Sequence, residues 1–194
     1  MDPSITQDTL GPLRLVQHAK GYRFGLDAVL LATDLPSNLP NDAHVVDLGA
    51  GQGAVACLVA AFNPEVRVTG VERQPGLAAL YRENVSRNDF CRRMDLVETD
   101  LRERELLTPH LADLVVSNPP YYEPNGGQKS PNTERAEAHQ EWHGGISDFV
   151  AAAQYLAKPS GYLKVVLPPM RLAHFQAALG NSDFGLQTLR FFHS

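Results

Sequence analysis

Short β-branched and apolar runs alternate along this chain with longer stretches whose apolar residues recur at helical spacing. That alternation predicts an α/β fold on a mostly parallel sheet, doubly wound, with helices on both faces. His44 to Leu48 predicts a first buried strand, closed by Gly49-Ala50-Gly51-Gln52-Gly53. Ala54 to Phe62 continues as an apolar helix and stops before Pro64. Val66 to Val71 predicts a second strand with Glu72 at its end, and Pro75 to Val85 a helix with an Arg-rich face. Met94 to Glu98 predicts a third strand, with Asp100 just after it. Asp113 to Ser117 predicts a fourth, running into Asn118-Pro119-Pro120-Tyr121. Ser147 to Leu156 reads as a helix, Tyr162 to Leu167 as a fifth strand, Met170 to Leu179 as a helix, and Gly185 to Phe192 as a candidate sixth strand.

Two regions stand outside this rhythm. Residues 1–43 carry Gly21-Tyr22-Arg23-Phe24 and a helix over Asp27 to Leu35. They read as an N-terminal extension with a lid helix, ahead of a cofactor-binding domain over 44–194, one compact domain overall. Glu123 to Gly145 is a long loop rich in Pro and Gly, and such loops in compact domains tend to be functional lids or disordered.

Composition narrows the class. The chain has 194 residues, 43% of them hydrophobic and 20% charged, which suits a single globular domain. The balance of 17 Lys+Arg against 22 Asp+Glu argues against a sequence-blind nucleic-acid binder, and leaves room for one local basic patch. Cys57 and Cys91 lie in unrelated contexts, and His139 and His143 lack a convincing ligand set, so no disulfide framework and no metal is expected. The first residues lack a basic and an apolar leader region, and the run Ala54 to Phe62 is far short of the roughly 20 residues a membrane span needs. A cytoplasmic protein with no membrane partner is expected.

The turn Asp47-Leu48-Gly49-Ala50-Gly51-Gln52-Gly53 follows a strand and opens a helix. Glycines there let the backbone approach a ligand, and the helix N-terminus offers unpaired N–H groups. Read literally, Gly49-x-Gly51-x-x-Ala54 also fits a dinucleotide fingerprint. Glu72 ends the next strand, where a carboxylate accepts ribose hydroxyls in an NAD site or an S-adenosylmethionine site. Asp47 favours the latter, because a carboxylate in that turn disfavours a pyrophosphate and suits an ammonium and a sulfonium. Asp100 is placed to accept from an adenine amine.

Asn118-Pro119-Pro120-Tyr121 is the sharpest signal, at the carboxyl end of a strand, where open α/β sheets bind ligands. A planar amine such as adenine N6 is a poor nucleophile because its lone pair is delocalised. The Asn118 side-chain oxygen and the Pro119 carbonyl can accept its hydrogens and turn the lone pair toward an incoming methyl group. Pro119 and Pro120 stiffen the turn. Tyr121 offers a face on which a flipped base stacks, worth about 1–3 kcal/mol.

With these residues in view, the chain resembles a class I S-adenosylmethionine-dependent methyltransferase, with a Rossmann-like sheet. More narrowly, it resembles the bacterial tRNA1(Val) adenine-37 N6-methyltransferase family. The likeness is carried by Gly21 to Ala32 (GYRFGLDAVLLA), Val45 to Gly53 (VVDLGAGQG) and Val116 to Tyr122 (VSNPPYY). The resemblance implies S-adenosyl-L-methionine as cofactor and an RNA substrate, a tRNA by preference. It implies a cofactor site of Phe24, Asp27, Asp47, Gly49, Ala50, Gly51, Gly53, Glu72, Arg73, Asp100, Leu101 and Asn118. Phe24 and Asp27 would lie near the methionine end. The loop after Tyr121 would meet the substrate, with Tyr122, Lys129, Arg135, Trp142 and His143 as contacts. Arg82, Arg87, Arg92 and Arg93 form the densest basic cluster, which a charged helix face explains equally well.

The resemblance also predicts a departure. A class I sheet has seven strands, the last inserted between the fifth and sixth. Here Leu186 to Phe192 reads as the sixth and only His193 and Ser194 follow, so the final strand is expected to be lacking. Strands sit about 4.8 Å apart, so the gap would leave unpaired edges and favour a homo-oligomer through the exposed edge. Rival readings are methyl transfer to a protein glutamine amide, which resembles the same Asn-Pro-Pro-Tyr motif, and a cofactor-binding module without turnover. An NAD-dependent oxidoreductase is the most distant rival, since it leaves Asn118 to Tyr121 unexplained.

Overall fold

The computed structural model describes residues 4–20, 23–119 and 145–192. It begins with two strands, β1 (Ile5–Leu10) and β2 (Leu13–His18), paired antiparallel across Gly11-Pro12. Gly11 sits at φ +59°, a conformation that side-chain-bearing residues adopt with strain. Leu13, Leu15 and Gln17 face inward at period two and are buried. This hairpin lies in the N-terminal extension, where the sequence predicts a helix and no strand.

The chain then forms α1 (Leu26–Thr33), β3 (His44–Leu48), α2 (Ala54–Phe62), β4 (Arg67–Glu72), α3 (Pro75–Arg87), β5 (Met94–Glu98), β6 (Ala112–Ser117), α4 (Ile146–Leu156), β7 (Ala157–Val165) and α5 (Leu172–Leu179). The expected strands and helices fall on these elements with ends shifted by a few residues. Pro75 stands in the first turn of α3, where its missing N–H costs nothing.

The last five strands form one parallel sheet in the order β5-β4-β3-β6-β7. It separates two apolar layers. On one face Val45, Val68, Leu114 and Val116 pack with α1, α2, Tyr81 of α3 and the hairpin residues Leu13 and Leu15. On the other, Val46, Leu48, Val71 and Val115 pack with Phe149, Ala152, Ala153 and Leu156 of α4 and Ala178 of α5. Alternate residues of each strand thus serve opposite layers, as a sheet covered on both faces requires. The mostly parallel Rossmann-like architecture is therefore present.

Two expectations need correction. The fifth strand of the sheet begins earlier than Tyr162, because Ala157 pairs with Ala112 before an irregularity in register, after which Tyr162 pairs with Leu114. Lys158 to Gly161 fill that irregularity, where Pro159 has no N–H to give the ladder. A Cβ on Gly161 would stand 2.9 Å from the Ala112 carbonyl oxygen, so only glycine fits. Gly185 to Phe192, expected as a sixth strand, forms no strand. Among the described residues no strand lies beyond β7 for it to pair with. Its backbone is irregular, and Leu186, Leu189, Phe191 and Phe192 stay about half exposed. Counting the hairpin, the described residues hold seven strands, five of them in the main sheet. No helix among the described residues is long and apolar enough to cross a membrane.

Candidate active site

The carboxyl ends of β3, β4 and β6 lie side by side and gather the residues of interest. β3 and β6 pair as neighbours through Asp47 and Val116, so the turn after Leu48 and the segment after Ser117 leave the sheet together. Ser117 Oγ donates to the Leu48 carbonyl at 2.6 Å and holds the two strand ends. Asn118 follows immediately, half-buried, with Pro119 buried beside it.

The glycine turn is shaped by backbone conformation. Gly49, Gly51 and Gly53 have φ of +69°, +56° and +83°, the left-handed region that glycine enters without penalty. The N–H groups of Gly49 and Ala50 both donate to the Val71 carbonyl, at 2.9 and 3.0 Å, which folds the turn toward the end of β4. Gly53 has a second reason to be glycine: a Cβ there would meet the Tyr81 ring at 2.6 Å.

Two carboxylates, Asp47 and Glu72, stand at this turn, and two more, Asp27 and Asp100, lie on the segments after β2 and β5. Asp47 is buried beneath it and accepts from the Ala56 N–H at 3.2 Å. Burial, and then the nearby Glu72 charge, push its carboxyl up to about 7. Glu72 is also buried and raised by desolvation. It spans the turn, accepting from Gly51 N–H on one oxygen and Gln74 N–H on the other, each at 2.8 Å. Asp27, in the first turn of α1, accepts from Ala28 N–H at 3.0 Å and from Asn118 Nδ2. Asp100 lies past β5, gripped by Arg102 through Nε at 2.9 Å and Nη2 at 2.7 Å, which holds its carboxyl down at about 2. Arg73 approaches Asp100 at 3.8 Å. Leu101 is half-buried against the second apolar layer, and Phe24 against the first.

Asn118 and Pro119, together with Asp27, Asp47, Gly49, Ala50, Gly51, Gly53, Glu72 and Arg73, stand at the carboxyl edge or on the elements packed against it. Pro120, Tyr121, Tyr122, Lys129, Arg135, Trp142 and His143 lie outside the described residues. Three arginines of the cluster, Arg82, Arg87 and Arg93, have structural employment. Arg82 pairs with Glu98 and Arg87 with Glu83. Arg93 donates to the Ala60, Asn63 and Val66 carbonyls at the end of α2, with its guanidinium over the Phe90 ring. Sequence reasoning missed Gln17 and Asn84, both buried and both bonded toward the turn. The alternation of β2 was the available signal for Gln17. Asn84 had none beyond being an amide on an apolar helix face.

A glycine turn after the central strand of a parallel sheet in this order, with the buried Asp47 beneath it and Glu72 across it, defines an α/β domain for a nucleoside-type cofactor of cationic character. The model of the methyltransferase small domain family matches residues 24–173, and the chain belongs to that family. The cofactor that goes with this family is S-adenosylmethionine, and the residues present fit it. The Asp47 and Glu72 carboxylates at the turn suit a cationic ligand and would disfavour a pyrophosphate.

Individual relatives agree. A tRNA1(Val) (adenine(37)-N6)-methyltransferase of Porphyromonas gingivalis is 30% identical over 157 residues, covering 77% of this chain and 60% of the relative. One from Shewanella amazonensis is 32% identical over 170 residues, covering 86% and 70%. The chain thus spans about 60% of the length of the first of these. Among solved structures, an Agrobacterium tumefaciens protein described as a predicted O-methyltransferase superposes with a TM-score of 0.62 at 26% identity, covering 79% of this chain and 67% of that one. TYW2 of P. horikoshii in complex with MeSAdo shares the fold, with a TM-score of 0.64 at 17% identity, over 90% of this chain and 58% of that one.

Proposed function

We propose that this chain is an S-adenosylmethionine-dependent N-methyltransferase acting on adenine N6 in RNA, with tRNA as the substrate class. The observation that carries the reading is the Asn118 amide, set beside the glycine turn and tethered through its nitrogen to Asp27. The names of the relatives supply the RNA and the base. When bound, S-adenosylmethionine supplies an electrophilic methyl group on a sulfonium. Gly49, Gly51 and Gly53 admit the cofactor close to the backbone, Glu72 meets the ribose hydroxyls, and Asp27 and Asp47 face its cationic end. Arg73, Asp100 and Leu101 frame the adenine.

Asn118 Oδ1 and the Pro119 carbonyl accept the two hydrogens of the target amine. Two acceptors in those positions draw the nitrogen away from planarity and free its lone pair. Positioning of this kind supplies much of the rate in a reaction that asks for no strong base. Pro120 stiffens the turn and Tyr121 stacks on the flipped base. Tyr122, Lys129, Arg135, Trp142 and His143 meet the RNA from the following loop. A tRNA substrate would place the enzyme in the cytoplasm, with no membrane partner and no metal.

The test uses S-adenosylmethionine carrying a labelled methyl group, the protein, and total tRNA from cells lacking the enzyme. The RNA is digested to nucleosides and weighed by mass spectrometry. Labelled N6-methyladenosine is the expected product. Label absent from tRNA but present on a protein glutamine amide would replace this reading with the amide one. Cofactor binding with no transfer to either would leave a binding module.

A further inference from the structure

The hairpin β1–β2 has an outer edge, the side of β2 that does not face β1. Unpaired strand edges are a hazard that proteins cover. Here two asparagines of α3 cover it. Asn84 Oδ1 accepts from the Val16 N–H at 2.7 Å, and Asn84 Nδ2 donates to the Val16 carbonyl at 2.9 Å. Asn88 does the same for Arg14, with both distances 3.0 Å. Each amide pairs with the N–H and C=O of one residue, as a neighbouring strand would. The spacing matches, since residues two apart on a strand rise about 6.8 Å and residues four apart on a helix about 6.0 Å.

The two asparagines differ in one respect. Asn84 is fully buried, and its Nδ2 also donates to the Gln52 carbonyl at 2.8 Å. Asn88 is half-buried and reaches back to the Asn84 carbonyl instead. Gln52 lies between Gly51 and Gly53, inside the glycine turn. Its side chain is buried as well and donates to Gln17 Oε1 of the hairpin at 3.1 Å. Gln17 in turn donates to Asp8, which Arg23 holds through Nη2 at 2.8 and 3.0 Å. Gln52, flanked by the left-handed Gly51 and Gly53, is therefore tied at its carbonyl and at its side chain. Glycine-rich backbone loses more conformational freedom on ordering than any other, so an outside hold is what fixes its shape before a ligand arrives.

We infer that the N-terminal hairpin is a brace for the cofactor turn, and that Asn84 is the positioning residue that couples the two. The inference rests on the glycine turn being the cofactor seat. In Asn84→Ala the turn loses its carbonyl tie, and the cofactor must order it on binding.

The experiment compares Asn84→Ala, Asn88→Ala and Gly49→Val in the full chain. Affinity for S-adenosylmethionine is measured by calorimetry at a temperature where circular dichroism shows each variant folded. Asn84→Ala is expected to weaken binding about tenfold, raising KM for the cofactor while kcat holds. Asn88→Ala is expected to lower Tm and keep affinity within about twofold, since it braces the hairpin without touching the turn. Should Asn84→Ala fail to fold, Gln52→Met cuts the side-chain tie with little change in volume and is expected to weaken binding in the same way. Unchanged affinity in folded Asn84→Ala, or in Gln52→Met where it stands in, overturns the brace. So does an equal loss in Asn88→Ala, which would mark general loosening. Gly49→Val places a side chain over the seat and is expected to abolish binding; affinity retained there overturns the seat, and the brace with it.

Discussion

Asn118 Nδ2 donates to Asp27 Oδ2, joining the end of β6 to the first turn of α1 across 91 residues of chain. An amide that directs its nitrogen at a carboxylate turns its carbonyl oxygen the other way. Asp27 is itself fixed by the Ala28 N–H, at a helix N-terminus where negative charge is favoured. The pair therefore sets which end of Asn118 serves as acceptor, the property that amine recognition requires.

Removal of either partner should reveal this coupling. Asn118→Ala is expected to abolish methyl transfer and leave cofactor affinity within a few-fold. Asp27→Ala should lower kcat about 100–1,000-fold, the range seen when one preorganised polar group is lost. Asp27→Asn, which keeps an acceptor for the Asn118 amide, should recover part of the rate in a single-turnover assay at saturating cofactor, and no recovery there would separate the roles of the two residues.

Tyr81 explains two glycines at once. Its ring lies across Gly53 and Gly70, where an added Cβ would approach to 2.6 and 2.5 Å. Its hydroxyl donates to the Asp95 carbonyl at 3.1 Å, so the side chain cannot swing aside without losing a bond. Gly70→Ala is expected to cost about 1–3 kcal/mol, the usual range for overpacking a core. Tyr81→Phe should cost about 1 kcal/mol for the hydrogen bond. Urea unfolding of both variants checks the order.

Much of this architecture was legible because the signals were local. The runs HVVDL and DLVVS are buried on both faces and read as parallel strands without reference to anything distant. The glycine turn announced itself through three residues with a common backbone need. The hairpin did not, because β1 is half polar and its partner β2 is buried only by tertiary packing on α2 and α3. Residues 186–192 misled for the opposite reason. Their composition suits a strand, but a strand needs a neighbour, and Arg190 instead pairs with Asp34 beyond the end of α1. Asn118 stands out in the sequence through its motif, as a candidate. Its bond to Asp27 does not, since no sequence pattern sets the distance between segments so far apart.

Asp47 gives the fold a pH dependence of definite sign. Its carboxyl titrates at about 7 in the folded protein and near the ordinary aspartate value when unfolded. Between those values the native state holds a proton that the unfolded chain has released. The unfolded state thus binds fewer protons, and the contribution of this group to stability falls as pH rises from about 4 to about 7. Asp47→Asn should flatten that part of the profile, and its Tm at pH 8 should exceed that of the parent. A cationic cofactor acts oppositely on the same group, favouring the ionised carboxylate. Binding at pH 7 should then release protons, which calorimetry in buffers of different ionisation enthalpy will count.

Lys164 sets the last prediction, because it links the edge of the sheet to the element that carries Asp27. From β7 its ammonium donates to the carbonyls of Leu30, Leu31 and Asp34 at 2.8, 3.1 and 2.6 Å. Leu30 and Leu31 lie in the last turn of α1, whose final carbonyls have no partner within the helix, and Asp34 follows it. A cation there also complements the negative end of the helix dipole. The arrangement is half-buried, and desolvation lowers the Lys164 ammonium to about 8. Lys164→Met keeps most of the apolar stem and removes the donors, so its effect isolates the cap. It should cost about 1–2 kcal/mol in global stability, the range for losing a hydrogen bond to a charged group after partial exposure to water. Amide exchange should speed up in α1 and leave β3 and β4 protected. Since α1 carries Asp27, the same variant is also expected to raise KM for S-adenosylmethionine. Unchanged exchange in α1 would show that the helix end holds without its lysine.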